Sequence, residues 1–198
     1  MISMYIGSGD CTALLAGLKT QSHLNLLRRF VSGEVPYYNA LASPIDALRT
    51  GAILEDRFLL TLPDDYYSQY KVICKEQDVL KSSLDFAQLS KGEVVDFIEL
   101  KSVSFLDFMN ISDIEYIKGK YKNYYNQVQF QLYCTGLESA TLCFLCVYEY
   151  DDNINRVREI NTEIDTKRFR IERDEKVITK IRERAEIFQN LKNIYNND

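Results

Sequence analysis

Asp85, Glu99 and Lys101 are the residues of this sequence whose types and spacing could do chemistry together. They lie in two apolar, β-leaning runs, Leu84 to Leu89 and Glu93 to Lys101, joined by Ser90-Lys91-Gly92. Such runs across a short Gly-containing turn predict a hairpin. Side chains alternate along a strand, so Glu99 and Lys101 share one face, and pairing across the turn brings Asp85 toward Glu99. Paired carboxylates suit Mg²⁺, which takes oxygen ligands, and a nearby ammonium can orient or deprotonate a water. These are the parts needed for metal-assisted phosphodiester cleavage.

Other elements must hold that hairpin in place. Lys71 to Lys75 reads as a strand before it, after a loop over Leu62 to Tyr70, giving three consecutive antiparallel strands. Ser43-Pro44 starts a helix with Ile45, Leu48 and Ala52 or Ile53 on one side. Gly51 costs that helix about 1 kcal/mol, which points to close packing or a ligand's approach, and Glu55 follows one turn later. Tyr124 to Tyr133 predicts a helix with Gln127 and Gln131 on a polar stripe and Val128 and Leu132 on an apolar one; Thr135-Gly136 ends it. Glutamines on a half-buried helix need partners, because burying an amide alone costs free energy. Gln131 reads as surface.

Toward the C-terminus, Ala140 to Glu149 is a nearly continuous apolar run, expected as a central strand. Asp151-Asp152-Asn153 predicts a turn, Ile154 to Ile164 a paired strand, and Phe169 to Glu172 a short one. A helix capped by Asp174 carries Val177, Ile178, Ile181, Ala185 and Phe188. Toward the N-terminus, Ser8 or Asp10 caps a small helix that Gly17 ends, and Ser22 to Val31 is helical with Leu24, Leu27 and Phe30 or Val31 inward. Ser104 to Tyr121 is helical or irregular. Lys118 to Lys122 reads as a basic, aromatic loop of a composition suited to phosphate contact. Lys167, Arg168, Arg170 and Arg173 form a positive cluster, either a nucleic-acid path or a solvated strand edge.

The 198 residues suffice for a single domain over 1–198 with a full core. No apolar run approaches a membrane span, so a cytoplasmic protein without membrane attachment is expected. A single histidine, His23, nearly excludes histidine triads and zinc clusters. The net charge of −5 argues against a DNA-coating protein but not against a DNA enzyme, whose metal-binding carboxylates are themselves acidic. Cys143-Phe144-Leu145-Cys146 has a metal-like spacing, yet residues three apart on a strand face opposite sides, so reduced buried thiols are expected.

The Asp85 hairpin with Glu99-Leu100-Lys101 resembles the PD-(D/E)XK nuclease core, with its proline replaced. Within that superfamily the chain is similar to the lambda exonuclease and YqaJ-like viral recombinase group. Gly51-x-x-x-Glu55 matches that family's G-x-x-x-E. Tyr124 to Gln129 resembles its tyrosine-x-x-glutamine-x-glutamine helix, and Ile6-Gly7-Ser8-Gly9 its Gly/Ser-rich opening. The resemblance implies an α/β, restriction-endonuclease-like core with a central mixed sheet flanked by helices. It implies Mg²⁺, with Mn²⁺ as a substitute, on Asp85, Glu99, the Leu100 carbonyl and Glu55, with Lys101 and Gln127 completing the catalytic set. Ser8, Tyr125, Gln127 and Gln129 are the implied DNA contacts. The family's arginine ahead of the serine has no counterpart, and Lys19, Arg28 or Arg29 are candidates to replace it. The implied activity is 5′ to 3′ resection of double-stranded DNA ends in phage recombination, by a ring-shaped trimer working with a single-strand annealing protein. Two other tasks fit the same residues: an endonuclease or CRISPR-type end trimmer, and a non-catalytic DNA-binding module.

Overall fold

The computed structural model describes residues 4–33, 45–148, 151 and 159–197, with 45–49 and 196–197 as backbone only. Strand β1 (Ile6–Gly7) runs through a 3-10 turn into helix α1 (Cys11–Leu15), followed by α2 (Gln21–Ser32) and α3 (Ile45–Leu59). Strands β2 (Tyr66–Ile73), β3 (Leu80–Ser90) and β4 (Glu93–Ser104) form the expected antiparallel meander. Helices α4 (Phe105–Asn110), α5 (Ile114–Lys120) and α6 (Lys122–Thr135) cross over to β5 (Ser139–Val147), which lies parallel to β4. Strand β6 (Thr166–Glu172) returns antiparallel, and α7 (Glu175–Asn197) closes the described chain.

The fold is α/β, a six-stranded mixed sheet with helices on both faces. Its order is β1-β3-β4-β5-β6, with β2 also on β3. On one face Leu54 and Phe58 of α3 pack against Phe86, Ile98, Leu100, Cys143 and Leu145. On the other, Val128 and Leu132 of α6 meet Phe97, Val103, Leu142 and Phe144. A third cluster joins Leu14 of α1, Leu26 and Phe30 of α2, and Ile178, Ile181 and Phe188 of α7. The five cysteines are free and buried, and Cys143 and Cys146 belong to opposite faces, as alternation requires. No helix among the described residues is long and apolar enough to cross a membrane.

Lys91 (φ 52°) and Gly92 (φ 82°) turn the hairpin, with φ positive at both central positions as a tight two-residue turn demands. Pairing runs from Ser90↔Glu93 to Phe86↔Ile98, with a register shift after Gln88 that leaves Val95 extra. Beyond Ile98, β4 leaves β3 and pairs with β5 instead. Lys81 pairs with Gly7 and with Ile73, so β1 occupies the side of β3 that β4 has vacated. The sheet therefore forks just past Phe86 and Ile98.

Several elements depart from the sequence expectation. The buried face of α2 is His23, Leu26 and Phe30, with Leu24 45% exposed. Thr20 caps the helix, and His23 finds the Ala13 carbonyl (3.3 Å) and the edge of Phe188. Helix α1 stops at Leu15, short of Gly17. Strand β2 begins at Tyr66, inside the expected loop. Residues 118–120 end α5 and Lys122 starts α6, with Tyr121 the turn between them; Lys118 pairs with Glu115 and Lys120 with Asp107. Residues 159–164 are loop and turn rather than strand, and 154–158 lie outside the described residues. Nothing lies within 4 Å of where a Cβ on Gly51 would sit, so close packing is not its reason.

Candidate active site

The carboxylates gather at the fork. Where β4 leaves β3, the Leu100 N–H faces no strand on that side, and Asp85 Oδ2 accepts from it at 2.8 Å. Glu99, fully buried, points to the α6 side, where Lys101 Nζ donates to its Oε1 at 2.5 Å. Gln127 Nε2 donates to the same oxygen at 2.5 Å, and Gln131 Nε2 donates to Oε2. Gln127 and Gln131 lie four apart, so both project from one helical face. Tyr124, on the first turn of α6, sets its ring beneath Lys101, 5.3 Å from Nζ.

Burial, and then the Glu99 charge, push Asp85 up to about 8, against the opposing pull of Lys101 and the Leu100 N–H. Burial also raises Glu55, with Lys101 opposing and Glu99 adding to the rise. Burial alone would lower Lys101, but Glu99 and Asp85 outweigh it and hold the ammonium above its ordinary range. Glu55, Asp85, Glu99 and Lys101 thus sense one another's charge across α3, β3 and β4.

Glu55 is held by a residue that the sequence hides. Gln69 stands opposite Asp85 in the β2–β3 register but takes φ 52°, a left-handed conformation that costs a non-glycine residue about 1–2 kcal/mol. Its amide bridges outward: Nε2 donates to Glu55 Oε2 (3.3 Å) and Oε1 accepts from Ser83 Oγ (3.0 Å).

The other expected contacts are employed elsewhere. Gln129, fully buried, donates to the Glu172 carbonyl and accepts from the Asp174 N–H, each at 2.8 Å. The Tyr125 hydroxyl donates to Asp174 Oδ2 at 3.1 Å. The structure therefore brings neither to Asp85. Ser8 is buried in the 3-10 turn before α1; the turn is closed by Gly7 N–H on Asp10 Oδ2, and Arg29 pairs with that same Asp10. Gln131 is not surface: it is fully buried on Glu99. Its spacing from Gln127 was the available signal, whereas Gln69 is visible only once β2 is seen to extend to Tyr66. In the positive cluster, Lys167 donates to the Phe108 and Ile111 carbonyls, and Arg170 and Arg173 pair with Asp96 and Glu175. Arg168 lies over the Phe58 ring.

Among the described residues no three His, Cys, Asp or Glu side chains converge as a metal-ligand group. The chemistry present nonetheless fits a hard divalent cation. The donors are all oxygen, Asp85 and Glu99 repel within one buried space, and Gln131 Oε1 is buried beside them without a hydrogen-bond donor. Asp85, Glu99 and Glu55 are the residues that would hold it.

Fold and fork together define a mixed α/β architecture with its acidic residues gathered where the sheet divides. No protein-family model and no curated protein matches the chain. Solved structures do. An alkaline exonuclease from Laribacter hongkongensis superposes with a TM-score of 0.65 at 14% identity, over 99% of this chain and 93% of its own. Its complex with dAMP gives 0.62 and 16%, over 98% and 91%. A phage-related exonuclease from Haemophilus somnus 129PT gives 0.63 and 16%, over 94% and 92%. The chain has the fold of these exonucleases, as its resemblance to the PD-(D/E)XK nucleases implies.

Proposed function

We propose that the protein is a divalent-cation-dependent deoxyribonuclease that resects double-stranded DNA from its ends. The observation that carries this reading is the fork, where Asp85 and Glu99 are buried within reach of each other's charge and Lys101 is fixed on Glu99. A fold shared with two exonucleases over nearly the full length of both chains supports it.

Mg²⁺, or Mn²⁺ in its place, held by Asp85, Glu99, Glu55 and the Leu100 carbonyl, would supply a hard positive charge that polarises the phosphodiester. The protein's own residues do the rest. Lys101 sets an ammonium at the edge of the carboxylate pair, where it orients a water and offsets charge on the pentavalent transition state. Gln127 and Gln131 restrain both oxygens of Glu99 without adding charge, so that carboxylate has one orientation. Gln69 does the same for Glu55 from the neighbouring strand. The finer reading, by resemblance, is 5′ to 3′ resection in phage recombination beside an annealing protein, as a trimer.

The test is digestion of end-labelled linear duplex with Mg²⁺, beside a closed circular control and a Lys101→Ala protein. Loss of the duplex from its ends, sparing the circle and abolished by the substitution, is the expected outcome, and the label shows which strand is consumed. Cutting of the circle would assign an endonuclease. No Mg²⁺-dependent activity from folded protein would leave a binding module.

A further inference from the structure

Helices α1, α6 and α7 line a cleft of about 440 Å³ that has no assigned role. Lys122, Lys176 and Lys180 line it, and no aspartate or glutamate does. None of the three lysines makes an ion pair or a side-chain hydrogen bond among the described residues. Five lysines elsewhere are held by acceptors: Lys101, Lys118, Lys120 and Lys192 by carboxylates, Lys167 by carbonyls. In a protein with 29 acidic and 24 basic residues, three lysines turned on one cleft without an acid form a local reversal of sign.

Asn126 supplies the second observation. It lines the same cleft and is only 8% exposed, yet its side-chain amide has no partner; its backbone carbonyl alone is used, by Cys11 Sγ. Its amide tip stays open to the cleft, where water meets it until a ligand takes that place. The first turn of α6, at Lys122 and Asn123, has no side-chain cap, which adds free N–H groups and the positive end of a fourteen-residue helix. The lining also includes Leu15 and Val177, apolar surface that suits a sugar or base face better than a bare ion.

Cleft and fork share helix α6. Asn123 stands one helical turn, about 5.4 Å, before Gln127, which holds Glu99. Neither Ser8 nor any carboxylate of the fork lines the cleft.

We propose that this cleft is a second phosphate subsite for the DNA strand, with Lys122, Lys176 and Lys180 neutralising backbone phosphates and the Asn126 amide donating to a phosphate oxygen. The proposal rests on the nuclease reading for its ligand, but binding tests it separately from cleavage. Fluorescence anisotropy of a labelled duplex in EDTA, over a range of salt, compares wild type with a K122Q/K176Q/K180Q protein and an Asn126→Asp protein. The triple substitution is expected to lower the slope of log affinity against log salt by roughly 2–3, about one for each phosphate that is no longer neutralised, whatever the DNA sequence. Asn126→Asp, which keeps the shape and adds a charge, is expected to weaken binding at every salt concentration, and both proteins to raise KM for linear duplex more than they lower kcat. Wild-type affinity and slope in both variants, with cleavage intact, would overturn the subsite and leave the nuclease reading standing. A wild type that cleaves nothing, yet binds DNA through these lysines, would do the reverse. Calorimetry with inorganic phosphate and a deoxynucleoside monophosphate is the remaining arm. Tight binding of either that depends on the lysines, with DNA affinity unmoved by the substitutions, would assign the cleft to a free anion and overturn the proposal.

Discussion

Helix α6 buries polar side chains on two faces, and they meet different ends. Toward β6 and α7, Gln129 uses both ends of its amide, on the Glu172 carbonyl and the Asp174 N–H, while Tyr125 reaches the Asp174 carboxylate. Toward β4, Gln127 donates to Glu99, Gln131 donates to Glu99 and to the Ser83 carbonyl, and Gln131 Oε1 is left without a donor. Gln129 and Gln131 are equally buried, so burial does not separate them. Satisfaction does. A matched network fixes where elements dock, whereas an unmatched oxygen beside a buried carboxylate leaves capacity for something that binds.

Glu99→Gln probes the difference most strongly. It keeps the shape and removes the charge, so cleavage should fall by about 10²–10³-fold or more. Thermal melting should fall modestly too, because Lys101 loses its carboxylate partner and the new amide turns a donor toward Gln127 or Gln131. A collapse in stability with activity retained per folded molecule would place Glu99 with the structural face instead. Gln129→Leu should do the opposite. Leaving the Glu172 carbonyl and the Asp174 N–H unpaired costs about 2–6 kcal/mol in urea titration, at ~1–3 kcal/mol for each group. The folded fraction should still cleave normally; if it does not, the two faces are not separate.

Smaller effects sharpen the boundary. Gln131→Leu removes the donor to Glu99 and to the Ser83 carbonyl together with the orphan oxygen, so single-turnover digestion should slow by about tenfold while stability falls by about 1–3 kcal/mol. Tyr125→Phe deletes one hydrogen bond to Asp174. Denaturation should register about 1 kcal/mol, and neither cleavage nor affinity for duplex should change.

What the sequence reveals follows the range of the forces involved. The hairpin, the α6 helix and the Asp174 cap are legible because alternation, helical spacing and capping act within a few residues; Asp174 indeed accepts from the Lys176 and Val177 N–H groups. The Asp85, Glu99 and Lys101 set is legible for the same reason. The inward face of α2 is not, because His23 is drawn in by Ala13 and Phe188, distant in sequence, which turns Leu24 outward. The Tyr- and Asp-rich run before β2 reads as loop, and only its pairing with Gln88, Ala87 and Phe86 makes Tyr66 to Ser68 a strand. With that strand hidden, Gln69 and its hold on Glu55 are hidden as well. Tyr125 and Gln129 show a further limit: a motif names the helix, but a difference of two residues decides which neighbour each side chain serves.

The fork also sets an order of assembly. The β2–β3–β4 meander closes through short turns, but β4 meets β5 only after the α4–α6 crossover has folded back, and such distant pairings form slowly. Asp85 can take the Leu100 N–H within the hairpin alone. Glu99 cannot be buried cheaply until α6 delivers Gln127 and Gln131. Refolding should therefore protect the β3–β4 amides before those of β5, which pulse-labelled hydrogen exchange would show; simultaneous protection would sink that order. A neutral Gln at position 99 should then speed the docking of α6, so the charge proposed to hold the metal is also what holds back completion of the fold.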